Sequence, residues 1–214
     1  EAGRPEMTQS GNPDIDAVLT TREVARLIHM RGIDLASLEP DSADTPFGER
    51  SSAGKLFGAS GGVMEAAIRT AYWLITGREM DELKVQAVRG AKGVKEARLN
   101  VDGLDVGVAV VSGLANARRL LEQIRAGRND LHFIEVMTCP GGCIAGGGQP
   151  YQTQPEQVRA RMRALYKIDR DAALRTSHAN KEVQRLYEEF LGKPLGEKSH
   201  HLLHTHYAPR EVVK

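Results

Sequence analysis

The chain has 214 residues, 41% of them hydrophobic and 27% charged, and its 29 Lys and Arg nearly balance 28 Asp and Glu for a net charge of +1. That length can bury a core without disulfide staples, and the near-neutral charge gives no electrostatic reason to expect nucleic acid or an anionic membrane as the main partner. No run approaches the roughly 20 apolar residues of a bilayer span and no charged-then-apolar leader opens the chain, so transmembrane and secretory readings fall away and a cytoplasmic protein is expected.

The chain opens on Glu1 rather than Met, which reads as a processed protein or a piece of something longer. Glu1 to Pro13 looks irregular. Ile15 to Leu19 has the look of a short strand, and Thr20 to Glu23 offers a capping box for a helix with Val24, Leu27 and Ile28 inward, stopped by Gly32. Asp34 to Gly54 is rich in Asp, Ser, Pro and Gly and reads as a surface loop. A Gly-rich turn from Gly54 to Gly62 leads into a helix with Met64, Ala67, Ile68, Ala71, Tyr72 and Ile75 at helical spacing, ended by Gly77.

Val94–Val101 and Leu104–Val111 flank Asp102-Gly103, a dipeptide suited to a two-residue hairpin. A helix with Leu114, Ala117, Leu121 and Ile124 inward follows, then an apolar segment, His132 to Met137. This strand–helix–strand unit should place its two strands parallel. Beyond Pro150 the pattern is helical only, over about 155–174, 180–191 and 195–207. The expected class is α/β, a sheet with strand–helix–strand units and flanking helices followed by a helical C-terminal tail. Residues 1–150 form the α/β domain, and residues 151–214 the tail packing on it.

Chemistry concentrates between Glu135 and Pro150. Only two cysteines occur, Cys139 and Cys143, which excludes a disulfide framework. Cys139 falls just past the carboxyl end of a predicted parallel strand, where α/β proteins usually bind ligands. Five of the eight residues from Gly141 to Gly148 are Gly, a density that costs backbone entropy and suits close approach to a bulky group. Two thiolates among free backbone N–H groups suit an iron–sulfur cluster. Buried structural thiols are a second reading. A phosphate cradle lacks both the P-loop and the dinucleotide spacing, and structural zinc lacks a local second ligand pair.

The stretch from Glu135 to Pro150 resembles the third cluster-binding signature of the iron-only, or [FeFe], hydrogenases, E-x-M-x-C-x-x-G-C-x-x-G-G-G-x-P, with every fixed position present. Asp16–Glu23, Phe57–Arg69 and Ser199–Tyr207 resemble the same family. The resemblance implies the C-terminal portion of a hydrogenase catalytic domain around an H-cluster. That group is a [4Fe–4S] cubane held by four cysteines and joined through a shared sulfur to a two-iron subsite with CO, CN and dithiolate ligands. By motif position, Cys139 is a terminal cubane ligand and Cys143 the shared one. Met137 packs against the two-iron subsite, and Gly54, Phe57 and Gly58 line its pocket. A dry, hydrogen-bonded shell of this kind tunes cluster potential.

The implied activity is reversible reduction of protons to dihydrogen. The implied partners are ferredoxin or an NAD(P)H-linked flavin subunit as electron partner, together with H-cluster maturation proteins. The family's first two signatures, T-S-C-C-P and M-P-C-x-x-K-x-x-E, are absent. Glu1 and its continuation to Met7 look like the end of the second, so the chain is expected to be truncated within it and inactive in isolation. A different class shares the third signature: the nuclear prelamin A recognition factor-like proteins of iron–sulfur assembly, beside hydrogen sensors without turnover. The Gly61–Arg69 run and the Thr21–Arg26 helix favour the enzyme.

Three weaker patterns remain. Gly58-Ala59-Ser60-Gly61-Gly62 matches the G-x-S-x-G nucleophile elbow, but a poor strand precedes it, and an anion-friendly helix start is preferred. His200 and His204 have metal-binding spacing but no carboxylate or Cys partner nearby, which favours packing and surface histidines. Arg159, Arg161, Arg163, Lys167 and Arg170 form a basic helix stretch, a solvated face or a docking patch for an acidic electron carrier.

Overall fold

A computed structural model describes residues 7–8, 11–42, 44–45 and 48–204. The readings of Glu1–Glu6 and of Thr205–Tyr207, including His206, lie outside the described residues. Six α-helices, α1 (Thr21–Met30), α2 (Gly62–Thr76), α3 (Leu114–Arg125), α4 (Pro155–Asp171), α5 (Lys181–Leu186) and α6 (Glu197–Leu203), accompany a three-stranded sheet among these residues. Its strands are β1 (Val94–Val101), β2 (Leu104–Ser112) and β3 (Phe133–Met137), in the order β1-β2-β3.

The hairpin and the strand–helix–strand unit form as expected. β1 and β2 are antiparallel with Val101 opposite Leu104, and Asp102 and Gly103 both take positive φ, 52° and 89°. β2 and β3 are parallel, Val108 pairing with Phe133 and Ser112 with Met137 across the α3 crossover. β2 is the central strand and is buried continuously from Gly107 to Ser112. Strand alternation then splits the core in two. Val108 and Val110 pack with Met64 and Ile68 of α2 on one face, while Ala109 and Val111 pack with Ala117 and Leu120 of α3 on the other.

Several expectations are corrected. Ile15–Leu19 is irregular chain, not a strand: Val18 is 72% exposed, and β1 and β3 are the sheet's edges among the described residues. α1 does form behind the expected capping box, with Thr20 N donating to Glu23 Oε2 at 2.7 Å and Glu23 N to Thr20 Oγ1. Its Val24 and Leu27 are nevertheless exposed, and no residue of the helix is buried. In α3 the inward stripe runs through Ala117, Leu120 and Ile124, leaving Leu114 and Leu121 outside. α2 buries Met64 and Ile68, but Ala71 and Ile75 are exposed. The loop over 34–54 contains a 3-10 turn, Leu35–Ser37, and runs into a longer one, Ser52–Gly58. The helix over 180–191 ends as a π turn, Tyr187–Leu191.

α4 lies against the Ser52–Gly58 turn, its Met162 packing with Ala59 and Ile144. A buried ion cluster joins it to α2. Asp169 of α4 receives Arg69 Nη1 and Nη2 of α2, both at 2.8 Å, and Ser52 Oγ at 2.7 Å. Glu65, one turn before Arg69, pairs with both Arg69 and Arg89. Burial alone would raise the Asp169 carboxyl, but the bonds from Arg69, Ser52 and Arg175 outweigh it and hold the group well below the usual carboxylate range.

Candidate iron–sulfur half-site

The cysteine turn begins where β3 stops. Gly113 N donates to Met137 O at 2.8 Å, closing the strand's end, and Gly142 N donates to Cys139 O at 3.0 Å. Cys143–Ala145 then makes one 3-10 turn. Gly142 has φ of 96°, and a Cβ there would lie 2.7 Å from Ser60 N and 2.8 Å from Gly58 O. Two backbones therefore meet face to face, a contact only Gly permits. Ser60 N donates to Gly141 O at 3.1 Å across the same seam.

Two charged side chains from the sheet fix the other strand of that seam. Glu135 is buried in β3 and accepts from Gly61 N at 2.6 Å and Met64 N at 2.7 Å, satisfying free donors at the start of α2. Lys95 is buried in β1 and donates to Ser60 O at 2.8 Å and Gly90 O at 2.9 Å. Burial pushes Lys95 down to about 8, against a smaller opposing effect of the Glu135 charge. On the far side of the turn, Arg22 of α1 grips three carbonyls: Nη1 donates to Gly147 O and Gln149 O, and its backbone N to Gly148 O. Its guanidinium also lies 4.1 Å over the Tyr151 ring.

Of the residues singled out from sequence, Cys139 is half-buried and Cys143 exposed, and both are free thiols. Met137 is half-buried at the strand end. Gly54 and Phe57 are exposed on the Ser52–Gly58 turn, which packs on the Cys143–Ala145 turn. Gly58 is brought beside that turn, where a Cβ would stand 3.6 Å from Ile144 Cγ2. A Cβ at Gly146 would lie 3.3 Å from Cys143 O and 3.4 Å from Cys139 Sγ, so the backbone of the turn passes close to that sulfur.

The chemistry of the donor set fits an iron–sulfur cluster in part: two free thiols, four residues apart, one half-buried and one exposed. Among the described residues no three His, Cys, Asp or Glu side chains converge on a metal position. His200 and His204 lie 4.4 Å apart by ring centroid, with no such third donor. Ser60 is 1% exposed, its Oγ has no hydrogen-bond partner among the described residues, and a 3-10 turn precedes it, so it is no nucleophile elbow. Sequence reasoning missed the placing roles of Glu135, Lys95 and Arg22. A carboxylate inside an apolar strand and a Lys at the start of another were the available signals for the first two.

The family described as the C-terminal domain of the iron-only hydrogenase large subunit matches residues 1–147, and that described as the iron hydrogenase small subunit matches residues 155–210. The NADP-reducing hydrogenase subunit HndD of Solidesulfovibrio fructosivorans is 49% identical over 99% of this chain and 36% of its own length. Iron hydrogenase 1 of Clostridium pasteurianum is 40% identical over 97% of this chain and 37% of its own. The cytosolic iron–sulfur assembly component 3 of Rattus norvegicus is 33% identical over all of this chain and 46% of its own. Among solved structures, a variant of [FeFe]-hydrogenase HydA1 from Chlamydomonas reinhardtii superposes with a TM-score of 0.76 at 38% identity, over 96% of this chain and 59% of that one. The chain spans little more than a third of the length of the two hydrogenases HndD and iron hydrogenase 1. With both segments matched and the fold shared, this chain belongs to the iron-only hydrogenase family.

Proposed function

We propose that this chain is the C-terminal part of an [FeFe] hydrogenase catalytic domain, serving the reversible reduction of protons to dihydrogen. The observation that carries the reading is the pair of free thiols on a Gly-built turn whose backbone at Gly146 passes close to Cys139 Sγ. In this reading Cys139 and Cys143 would be the residues of this chain that hold the H-cluster, Cys139 on its [4Fe–4S] part and Cys143 shared with the two-iron part that carries CO, CN and dithiolate. Met137, Gly54, Phe57 and Gly58 border that subsite. When bound, the H-cluster stores electrons and supplies the site of hydrogen chemistry. The chain's own residues place the ligands: Glu135 and Lys95 hold the 60–64 segment, and Arg22 holds the end of the cysteine turn.

The electron partner in this reading is a ferredoxin or an NAD(P)H-linked flavin subunit, the second suggested by the NADP-reducing relative. Assembly of the H-cluster calls for maturation proteins, and the protein works in the cytoplasm. No helix among the described residues is long and apolar enough to cross a membrane. The second reading, an iron–sulfur assembly protein, has the support of the 33% identical relative, below the 49% and 40% of the hydrogenases.

The test is hydrogen evolution and uptake by the full-length protein after anaerobic maturation. Turnover that Cys143→Ser abolishes is expected; cluster-loaded protein that neither evolves nor consumes hydrogen would overturn the enzyme in favour of the assembly reading. Residues 1–214 alone, with two thiols for four ligand positions, are expected to show no turnover.

A further inference from the structure

Away from the cysteines, residues 81–90 pass alongside α4 and leave a cleft of about 750 Å³. Its walls carry six cations, Lys84, Arg89, Arg163, Lys167, Arg170 and Arg175. Four are partnered: Arg89 and Arg175 reach the buried Glu65 and Asp169, and Lys167 and Arg170 share Asp171. Lys84 and Arg163 have no ion-pair partner among the described residues, and Arg175 Nε is buried with no hydrogen bond. Set against Arg69 and the five carboxylates at or beneath the cleft, including Asp81 and Glu82 on its wall, two positive charges are left over.

We propose that this cleft binds a phosphorylated small molecule of nucleotide size. An excess of two positive charges suits a phosphorylated anion, and the Arg163 guanidinium, the one fork of the cleft without an ion-pair partner among the described residues, matches phosphate oxygens in a pair. The volume lies within the range of small-molecule sites, roughly 300–1,000 Å³, and far exceeds what one inorganic ion fills. Leu83 and the Tyr166 ring supply a wall for the organic part, and Arg89 already stacks 4.2 Å over that ring. The basic stretch read from sequence divides here. Arg163, Lys167 and Arg170 face the cleft, whereas Arg161 donates to Ile144 O and Arg159 pairs with Glu156.

The test is calorimetric titration of the full-length protein with ADP, inorganic phosphate and succinate, repeated with the exposed pair changed in Lys84→Gln/Arg163→Gln. ADP is expected to bind, inorganic phosphate and succinate at least tenfold more weakly, and the double variant to lose at least tenfold in ADP affinity with an unchanged circular dichroism spectrum. Absence of ADP binding, or ADP affinity untouched by the double variant, would overturn the site. Phosphate or succinate binding as tightly as ADP would reduce it to a bare anion patch and overturn the ligand class. The single variants Lys84→Gln and Lys84→Glu provide a graded check, since a reversed charge must weaken ADP more than a neutral side chain does.

Discussion

Two regions of the molecule treat polar groups in opposite ways. Beneath α4, Glu65, Arg69 and Asp169 are fully enclosed and bonded to one another and to Arg89, Arg175 and Ser52. On the cysteine side, Cys143 is exposed, Phe57 is 44% exposed, and α1 presents Val24, Leu27 and Met30 to the surface. Buried charges cost little only while every partner is present, whereas an open turn can be altered without unfolding what lies beneath it. The enclosed region therefore sets stability, and the open one is free to serve chemistry.

Breaking the enclosed region gives the largest effect. Arg69→Met takes one guanidinium from two buried carboxylates, leaving Glu65 to Arg89 and Asp169 to Arg175 and Ser52, and a loss of about 3 kcal/mol is expected from urea denaturation; a shift comparable to that of Cys143→Ser would erase the contrast between the regions. Gly142→Ala comes next. It forces positive φ on a side chain and presses a methyl group into the Ser60 backbone, for about 1–3 kcal/mol and a displaced cysteine turn, seen as reduced iron incorporation at unchanged secondary structure. Lys95 sharpens the comparison through pH. Its folded value of about 8 lies below the ordinary 10.5, so between those limits the unfolded chain binds more protons and this group's contribution to stability rises with pH. The urea midpoint of Lys95→Met should lack that rise between pH 8 and 10. Arg22→Ala is expected to be the smallest, about 0.5–1 kcal/mol at most, with faster amide exchange in α1 as its main sign.

Local patterns were legible in the sequence where one element settles its own geometry. Asp102-Gly103 turns the hairpin and Thr20 with Glu23 caps α1, both as read. Faces were harder. Leu114, Ala117, Leu121 and Ile124 fit a stripe, but the sheet accepts Leu120 instead of Leu121, a choice made by the β2 side chains and invisible along the helix. Ile15–Leu19 has strand-forming residues without a strand among the described residues to pair with, and apolar content alone cannot supply a ladder. The cysteine turn was legible because its residues are contiguous. The groups that hold it were not, because Glu135 meets Gly61 across 74 positions and Arg22 meets Gly147 across 125.

Glu135 also sets a ruler. It lies on β3 opposite Val110, and its two oxygens grip the first turn of α2, so the axial position of the helix and the register of the strand share one origin. Cys139 is counted from that origin along a fixed pleat and a short turn. A one-residue insertion between Glu135 and Cys139 would shift the thiols relative to the Ser60 seam without loosening the carboxylate, while an insertion before Glu135 would have to surrender both bonds. Tolerance to length change should thus differ sharply on the two sides of a single residue, which makes the strand a gauge for placing sulfur as well as a part of the core.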